Sequence, residues 1–113
     1  MSTNVLDALE RILTRVEEPD DALRAVVVAL AEEPGISWAG IAFLDQDALV
    51  LGPEAGEPDD ARRTKVPIEF LGSRVGELWV DGSPDTRVLV RVTERLSGHV
   101  LIGWDTRGET WDP

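Results

Sequence analysis

Cysteine is absent from this 113-residue chain, histidine occurs once and tyrosine not at all. Without thiols the chain cannot form disulfides, thiolate metal sites or a cysteine nucleophile. His99 is the lone histidine, and a haem or metal site would need a second histidine or a thiolate beside it. We therefore interpret His99 as a structural or surface residue, and we expect neither a metal nor another cofactor.

Positive charge is also scarce: 11 basic residues stand against 22 acidic ones, a formal net charge of −11. Such a chain repels phosphate backbones and anionic membrane surfaces, so nucleic acid and membranes are poor candidate partners. Long apolar runs are missing too. No window approaches the length of a membrane span, and the N-terminus lacks the basic start and apolar stretch of a secretory signal. These features predict a cytoplasmic protein.

The composition that remains is typical of one globular domain. Its 42% hydrophobic and 29% charged residues exclude wholesale disorder. The length suits a single hydrophobic core, so we expect residues 1–113 to form one compact domain.

Two helices are predicted before the first strand. From Ser2 to Glu18 apolar residues recur at helical spacing, with Ser2 or Thr3 available as the N-cap. Pro19 cannot continue that helix, but it suits the first turn of a second one. The two apolar stripes are Val5, Leu6, Leu9, Ile12, Leu13 and Val16 on the first helix, and Ala22, Leu23, Val26, Val27, Leu30 and Ala31 on the second.

Four strands follow as two hairpins. Ile36 to Leu44 is apolar on both faces, as expected of a strand in the middle of a sheet. Ala48 to Leu51 returns beside it, and Gly52 to Arg63 is predicted to be a loop. The second hairpin joins Thr64 to Phe70 with Val75 to Asp81 and turns at Gly72-Ser73. That turn predicts three cross-strand pairs: Val66–Val80, Ile68–Leu78 and Lys65–Asp81. The less apolar face of the hairpin is then expected to carry Lys65, Glu69, Glu77 and Trp79.

A third helix is predicted to start at Ser83-Pro84-Asp85, which supplies a cap, a fixed φ and an acid for the first turn. Its apolar stripe is Leu89, Val92, Leu96 and Val100. Gly103 is placed to end it, and we expect Trp104 and Trp111 to dock the tail against the domain. The element order α-α-β-β-β-β-α predicts an α+β fold, with a small antiparallel sheet of about four strands covered on one face by the three helices.

Several acidic residues are candidate sites. The run Glu54, Glu57, Asp59 and Asp60 lacks the alternating spacing of a calcium loop, so we interpret it as a solvated loop. Glu69 and Glu77 are paired carboxylates that could do acid–base chemistry, but no pattern predicts the enclosed pocket such chemistry needs. Trp38 and Trp79 are candidates for a binding surface, because aromatic side chains are favoured there. The alternative, which we favour, is that the shortened loop or the tail folds over them.

Two segments carry a family resemblance. "WAGIAFLDQDALVLGPEAGEP" and "TKVPIEFLGSRVGELWVDGSP" resemble the two hairpins of free methionine-R-sulfoxide reductases, which are GAF-domain proteins. Most of the chain resembles a shortened GAF domain, and the ending "LIGWDTRGETWDP" is similar to that of small actinobacterial GAF-like proteins. The resemblance implies a GAF-like fold and a ligand face that includes Trp38 and Trp79.

The departures from those reductases decide what the resemblance implies about activity. The reductases use cysteine thiols, which this chain lacks, and the insertion that roofs their pocket is missing between Gly56 and Thr64. Of their three ligand-binding acids, one is retained as Asp81, whereas the other two correspond to Trp79 and Arg63. We therefore expect no catalysis.

Two functions follow as expectations. The first is a non-catalytic GAF-like sensor or interaction module in signalling or regulation, with a protein partner. The alternative is a binder of a small polar ligand at Trp38, Arg63, Trp79 and Asp81. Either is expected to form a homodimer, as GAF domains commonly do, through the first-helix stripe of Val5, Leu6, Leu9, Ile12, Leu13 and Val16.

Overall fold

The computed structural model describes residues 4–97 of the chain. The elements are α1 (Asn4–Arg15), α2 (Pro19–Ala31), β1 (Ile36–Asp45), β2 (Ala48–Gly56), a 3-10 turn (Asp60–Arg62), β3 (Arg63–Phe70), β4 (Ser73–Gly82) and α3 (86–97). This order confirms the predicted α+β fold. The expectations for His99, for a helix end at Gly103 and for the tail with Trp104 and Trp111 lie outside the described residues.

The helices begin close to where the sequence places them. α1 ends at Arg15, and α2 starts at Pro19, whose missing N–H leaves no helical hydrogen bond unmade in a first turn. α3 begins after Asp85 and not at Ser83. Asp85 caps it, because its carboxylate accepts a hydrogen bond of 3.0 Å from the backbone N–H of Arg87. No helix in the described part of the chain is long and apolar enough to cross a membrane.

All four strands form one antiparallel sheet in the order β2-β1-β4-β3. β1 is buried from Trp38 to Phe43, as expected of a central strand. β2 runs on to Gly56 through residues expected to be a loop, because a register shift lets Glu54 pair with Gly40 on β1. β2 and β3 are therefore the two edge strands.

The second hairpin turns one residue earlier than predicted. Leu71 and Gly72 form the turn, with φ angles of +52° and +83°. The pairs observed in place of the predicted ones are Lys65–Trp79, Val66–Leu78 and Ile68–Gly76. The predicted register is thus wrong by two residues. A shift of two keeps these side chains on their predicted faces, since strand side chains alternate with a period of two.

The hydrophobic core lies between the helices and one face of the sheet. The helices contribute Val5, Leu6, Leu9, Leu23, Val26, Val27, Leu30, Leu89, Val92 and Leu96; the strands contribute Ile36, Ala39, Ile41, Phe43, Ile68, Leu78 and Val80. On the surface of this layer an ion pair between Arg95 and Glu10 joins α3 to α1. The three helices therefore cover the same face of the sheet.

Burial in this core removes half of the expected dimer seam on α1 from the surface. Val5, Leu6 and Leu9 are only 2%, 7% and 0% exposed within a single chain. These three side chains need no second copy to cover them, because α1 packs against the core of its own chain. Ile12 and Leu13 are partly buried against that core. These two and the partly exposed Val16 are the seam residues that a second copy could still cover.

Candidate functional site

Ordinary strand alternation places Trp38 on the face of the sheet away from the helices, which we call the far face, because Ala39, Ile41 and Phe43 of the same ladder lie in the core. The ladder between β1 and β4 shifts register between Ile36 and Trp38, so these side chains point to opposite faces although they are two residues apart. Ile36 belongs to the core cluster and Trp38 does not. Trp38 lies opposite Asp81, which lies opposite Arg63 on β3. The three residues lie side by side on adjacent strands of the sheet.

The carboxylate of Asp81 is fully buried and is held from two sides. Arg63 donates to it twice, from Nε to Oδ1 at 2.8 Å and from Nη2 to Oδ2 at 2.9 Å. The backbone N–H of Asp59 donates to Oδ2 at 2.6 Å. Arg63 also pairs with Asp60 at 3.0 Å. This ion pair therefore ties β3 and β4 to the segment that follows β2.

The pKa values of this pair follow from its contacts. Burial by itself raises the pKa of the Asp81 carboxyl, but the hydrogen bonds from Arg63 and from the N–H of Asp59, with the charge of Arg63, lower it below its usual range. The hydrogen bond to Asp81 raises the pKa of the Arg63 guanidinium. Both groups are therefore held in their charged forms.

Cations and indole rings alternate along the far face. The guanidinium carbon of Arg63 lies 4.4 Å from the ring centroid of Trp38 and 5.5 Å from that of Trp79. The Nζ of Lys65 lies 4.4 Å from the Trp79 ring. We call Trp38, Arg63, Trp79 and Lys65 the indole–cation row. Each such contact contributes about 0.5–2 kcal/mol, depending on how far the cation is removed from water.

The two indole N–H groups also have partners. Trp38 donates to the Glu54 carboxylate at 3.2 Å, and Trp79 donates to that of Glu77 at 2.8 Å. The Trp38 ring extends over Gly40, where an added Cβ would lie 2.7 Å from a ring carbon. Gly40 therefore leaves the space in which the ring packs against β1.

The structure brings together the four residues predicted to bind a ligand: Trp38, Arg63, Trp79 and Asp81. The four surface depressions identified on residues 4–97 are lined by other residues. Trp38 is 2% exposed and Asp81 is fully buried. Arg63 and Trp79 are partly exposed, so they are the members of the four that present surface to solvent.

Three of the other acidic candidates have structural roles. Glu54 accepts the Trp38 N–H, and Asp60 pairs with Arg63. Glu77 accepts from Trp79 and from Arg74. No group of three or more acidic or histidine side chains within residues 4–97 is arranged to hold a metal ion.

Sequence reasoning missed two contributors to this site. Glu54 and the backbone of Asp59 were assigned to a loop, because prolines and acids surround them. Their roles depend on the register shift that extends β2 and on the close approach at Gly56, whose φ is +101°. The signal that was present is Gly56, since glycine favours such backbone angles.

The fold is that of a small GAF domain, as the sequence resemblance implies. Similar solved structures include the GAF domain of an Acinetobacter phosphoenolpyruvate-protein phosphotransferase, with a TM-score of 0.70 and 16% identity. That likeness covers 96% of this chain and 99% of the other. The sequence itself matches no protein-family model and no curated protein.

Methionine sulfoxide reductases are also among the similar structures. The fRMsr of Staphylococcus aureus, in complex with substrate, has a TM-score of 0.65 and 17% identity, covering 88% of this chain and 97% of its own. The type II free methionine-R-sulfoxide reductase of Thermoplasma acidophilum has a TM-score of 0.61 and 15% identity, covering 73% and 91%. Identities this low show a shared fold and leave the activity open.

Proposed function

We propose that this chain is a non-catalytic GAF-like sensor or interaction module that acts in signalling or regulation through a protein partner. The observation that carries the proposal is the Arg63–Asp81 pair. Asp81 corresponds by resemblance to a ligand-binding acid of the reductases, and here Arg63 neutralises it with two hydrogen bonds.

The rest of the far face supports the same function. The indole N–H groups donate to Glu54 and Glu77, so each has a protein partner. Groups that already satisfy one another offer little to a small ligand, because a ligand must replace contacts of similar strength. Binding of a small polar molecule at these groups is therefore disfavoured, which favours the interaction module over a ligand binder.

A native mass spectrum of freshly purified protein tests this function, since it reports bound ligand and oligomeric state together. We expect only protein, at 12.4 kDa per chain. A small molecule retained in stoichiometric amount would contradict the interaction module. A spectrum of the denatured protein is the control for covalent adducts.

The alternative function is a binder of a small polar ligand, which is favoured by the meeting of all four predicted residues on the far face. Under this alternative the native spectrum shows a retained ligand. Trp79→Leu should then abolish retention, because the Trp79 ring contacts both cations of the row. Val90→Ala, on the exposed face of α3, is the matched control and should leave retention unchanged.

Reductase activity is the enzymatic function that the similar structures raise. We expect no turnover of free methionine sulfoxide above the blank when a thiol reductant is supplied, because attack on the sulfoxide sulfur needs a thiolate and the 113 residues contain none. Measurable turnover in that assay would overturn the non-catalytic function.

A cytoplasmic location stays a prediction.

A further inference from the structure

We propose that the outer edge of β2 is a docking site for an extended, basic peptide that joins the sheet as an added strand. The inference rests on the interaction-module function and names the chemistry of its partner. Among residues 4–97, β2 and β3 each have a neighbouring strand on one side only. The outward N–H and C=O groups of such edge strands pair with water or with another strand.

The β3 edge is protected against strand addition. Pro67, near the middle of β3, has no N–H to offer, and Lys65 and Glu69 place exposed charges on either side of it. α3 also stands beside this edge, since Val90 and Thr93 line a depression together with residues of β3. Strand addition along β3 is therefore disfavoured.

The β2 edge is open along its first half only, because Pro53 and Glu54 follow within the same strand and Asp20 and Arg24 of α2 lie beside it. Ala48 to Gly52 contains neither a charged residue nor a proline, and Val50 and Leu51 are 37% and 38% exposed. Asp45 and Ala48 close the two-residue turn of the first hairpin as a pair. The backbone groups of Ala48 therefore bond to Asp45 on β1. Because residues along an antiparallel strand alternate between bonding to the neighbouring strand and pointing away from it, the N–H and C=O groups of Leu49 and Leu51 point outward.

A shallow depression beside this edge could receive a side chain of the added strand. It has a volume of about 320 Å³, and it is lined by Asp20 and Arg24 of α2 and by Phe43, Leu51, Gly52 and Pro53 of the sheet. The combination of outward peptide groups and a partly apolar depression fits recognition by β-strand addition, in which the backbone supplies affinity and the depression selects a side chain.

The charges around the edge define the partner as basic. The acids come from the first hairpin turn, the end of β2, the segment after it and the start of α2: Asp45, Asp47, Glu54, Glu57, Asp20 and Asp21. Arg24 is paired with Asp21 at 3.8 Å. Lysine or arginine at both ends of an extended peptide would meet this field favourably.

The same charges disfavour a second copy of this chain as the occupant. An antiparallel pairing of two β2 edges about Val50 would place the Asp45–Asp47 turn of one copy beside Glu54 of the other. Like charges opposite each other destabilise strand pairing. A separate basic peptide avoids that repulsion.

Fluorescence anisotropy with the full chain tests the proposal. The probe is a fluorescein-labelled peptide, Lys-Arg-Val-Thr-Val-Thr-Val-Arg-Lys. One control replaces its four basic residues with glutamate, and the other replaces the central valine with proline. We expect saturable binding of the basic peptide and at least about tenfold weaker binding of each control. Raising the salt concentration from about 0.05 to about 0.5 M should weaken binding.

Protein variants locate the site. Val50→Lys adds a positive charge to the edge and should weaken binding about tenfold, whereas the matched Val50→Thr should change it less than about twofold. Asp47→Lys, in the exposed turn, is a second variant that should also weaken binding. Circular dichroism identifies any variant that fails to fold.

Several outcomes would overturn the proposal. These are no binding by folded protein, equal binding of the proline or glutamate peptide, or binding that Val50→Lys and Asp47→Lys leave unchanged. Binding that appears only after removal of residues 98–113 would assign the edge to the chain's own segment. Self-association that Val50→Lys abolishes would assign it to a second copy. The native mass spectrum is independent, so the interaction module can stand if the peptide site fails.

Discussion

At the scale of single residues, Asp81 shows how a buried carboxylate is kept ionised. Its folded-state pKa is lowered relative to the unfolded value of about 3.9, so the charged form stabilises the fold above about pH 4. This contribution is lost as the pH falls through the folded-state pKa. The buried pair therefore contributes fully at neutral pH and little in strong acid.

Asp81→Asn should accordingly destabilise the protein by about 1.5–3 kcal/mol at pH 7, because it removes the charge that Arg63 and the Asp59 N–H hold. Urea denaturation at pH 7 and near pH 3 measures the effect, which should shrink at the lower pH. Asp60→Asn is the control: Asp60 also pairs with Arg63, but its side chain is 84% exposed, so less than about 1 kcal/mol should be lost. Equal losses in the two variants would contradict this account.

Leu71 adopts a backbone φ angle that is unfavourable for a leucine. It has a φ of +52° in the turn before Gly72, and its side chain is 92% exposed. Leu71→Asn should stabilise the protein by about 1 kcal/mol, because asparagine tolerates this left-handed conformation and leucine buries almost nothing here.

Thermal denaturation checks this as a rise in Tm of about 4 °C or more. Leu71→Val is the matched control and should lower the Tm, since a β-branched residue is a poorer fit at positive φ. If Leu71→Asn were neutral or destabilising, strain at this turn would not be the explanation.

At the scale of elements, the pattern of apolar residues was sufficient for the order of helices and strands but not for their registers. The stripe beginning at Val5 predicts α1, and the doubly apolar run from Ile36 predicts a central strand; both are observed. Leucine rarely adopts a positive φ, whereas glycine does so readily. The turn was therefore predicted at Gly72-Ser73, one residue later than the observed turn at Leu71 and Gly72. Turn position depends on backbone energies that hydrophobic spacing does not report.

The candidate site shows the same division between pattern and local geometry. Arg63, Trp79 and Asp81 share the predicted face because a two-residue slip preserves side-chain direction. The bulge between Ile36 and Trp38 is different. It reverses the side-chain direction of Ile36 relative to the rest of β1, and the residue pattern did not predict it. The Asp59 N–H contact depends on a backbone path that the sequence alone does not specify.

Gly40 tests how closely β1 and the Trp38 indole fit. Gly40→Ala should destabilise the protein by about 1–3 kcal/mol, because the new methyl group would lie 2.7 Å from the ring and 3.1 Å from Leu51. Combining it with Trp38→Phe should cost less than the sum of the single changes, since the smaller ring leaves space. Additive losses in urea denaturation would show that the indole is not the obstacle.

At the scale of the whole molecule, α1 carries the proposed homodimer contact, and burial limits where that contact can be. The half of α1 with Val5 and Leu9 belongs to the chain's own core. The exposed half forms a shallow groove of about 330 Å³, lined by Ala8, Arg11, Ile12, Arg15 and Val16. We propose that two copies pair along this groove with antiparallel helices, which brings Arg15 of each copy near Asp7 of the other.

Ile12→Glu should dissociate this dimer, because it places a charge at the centre of the apolar contact while leaving most of the core intact. Light scattering at micromolar concentration should show twice 12.4 kDa for the unchanged chain and 12.4 kDa for the variant. Leu9→Glu would not serve, since Leu9 is 0% exposed and the change should unfold the domain. Arg15→Glu should weaken the dimer, and adding Asp7→Arg should restore it if the two charges meet across the two-fold axis. A mass near 12.4 kDa for the unchanged chain would exclude the dimer, and α1 would then serve the core of one domain alone.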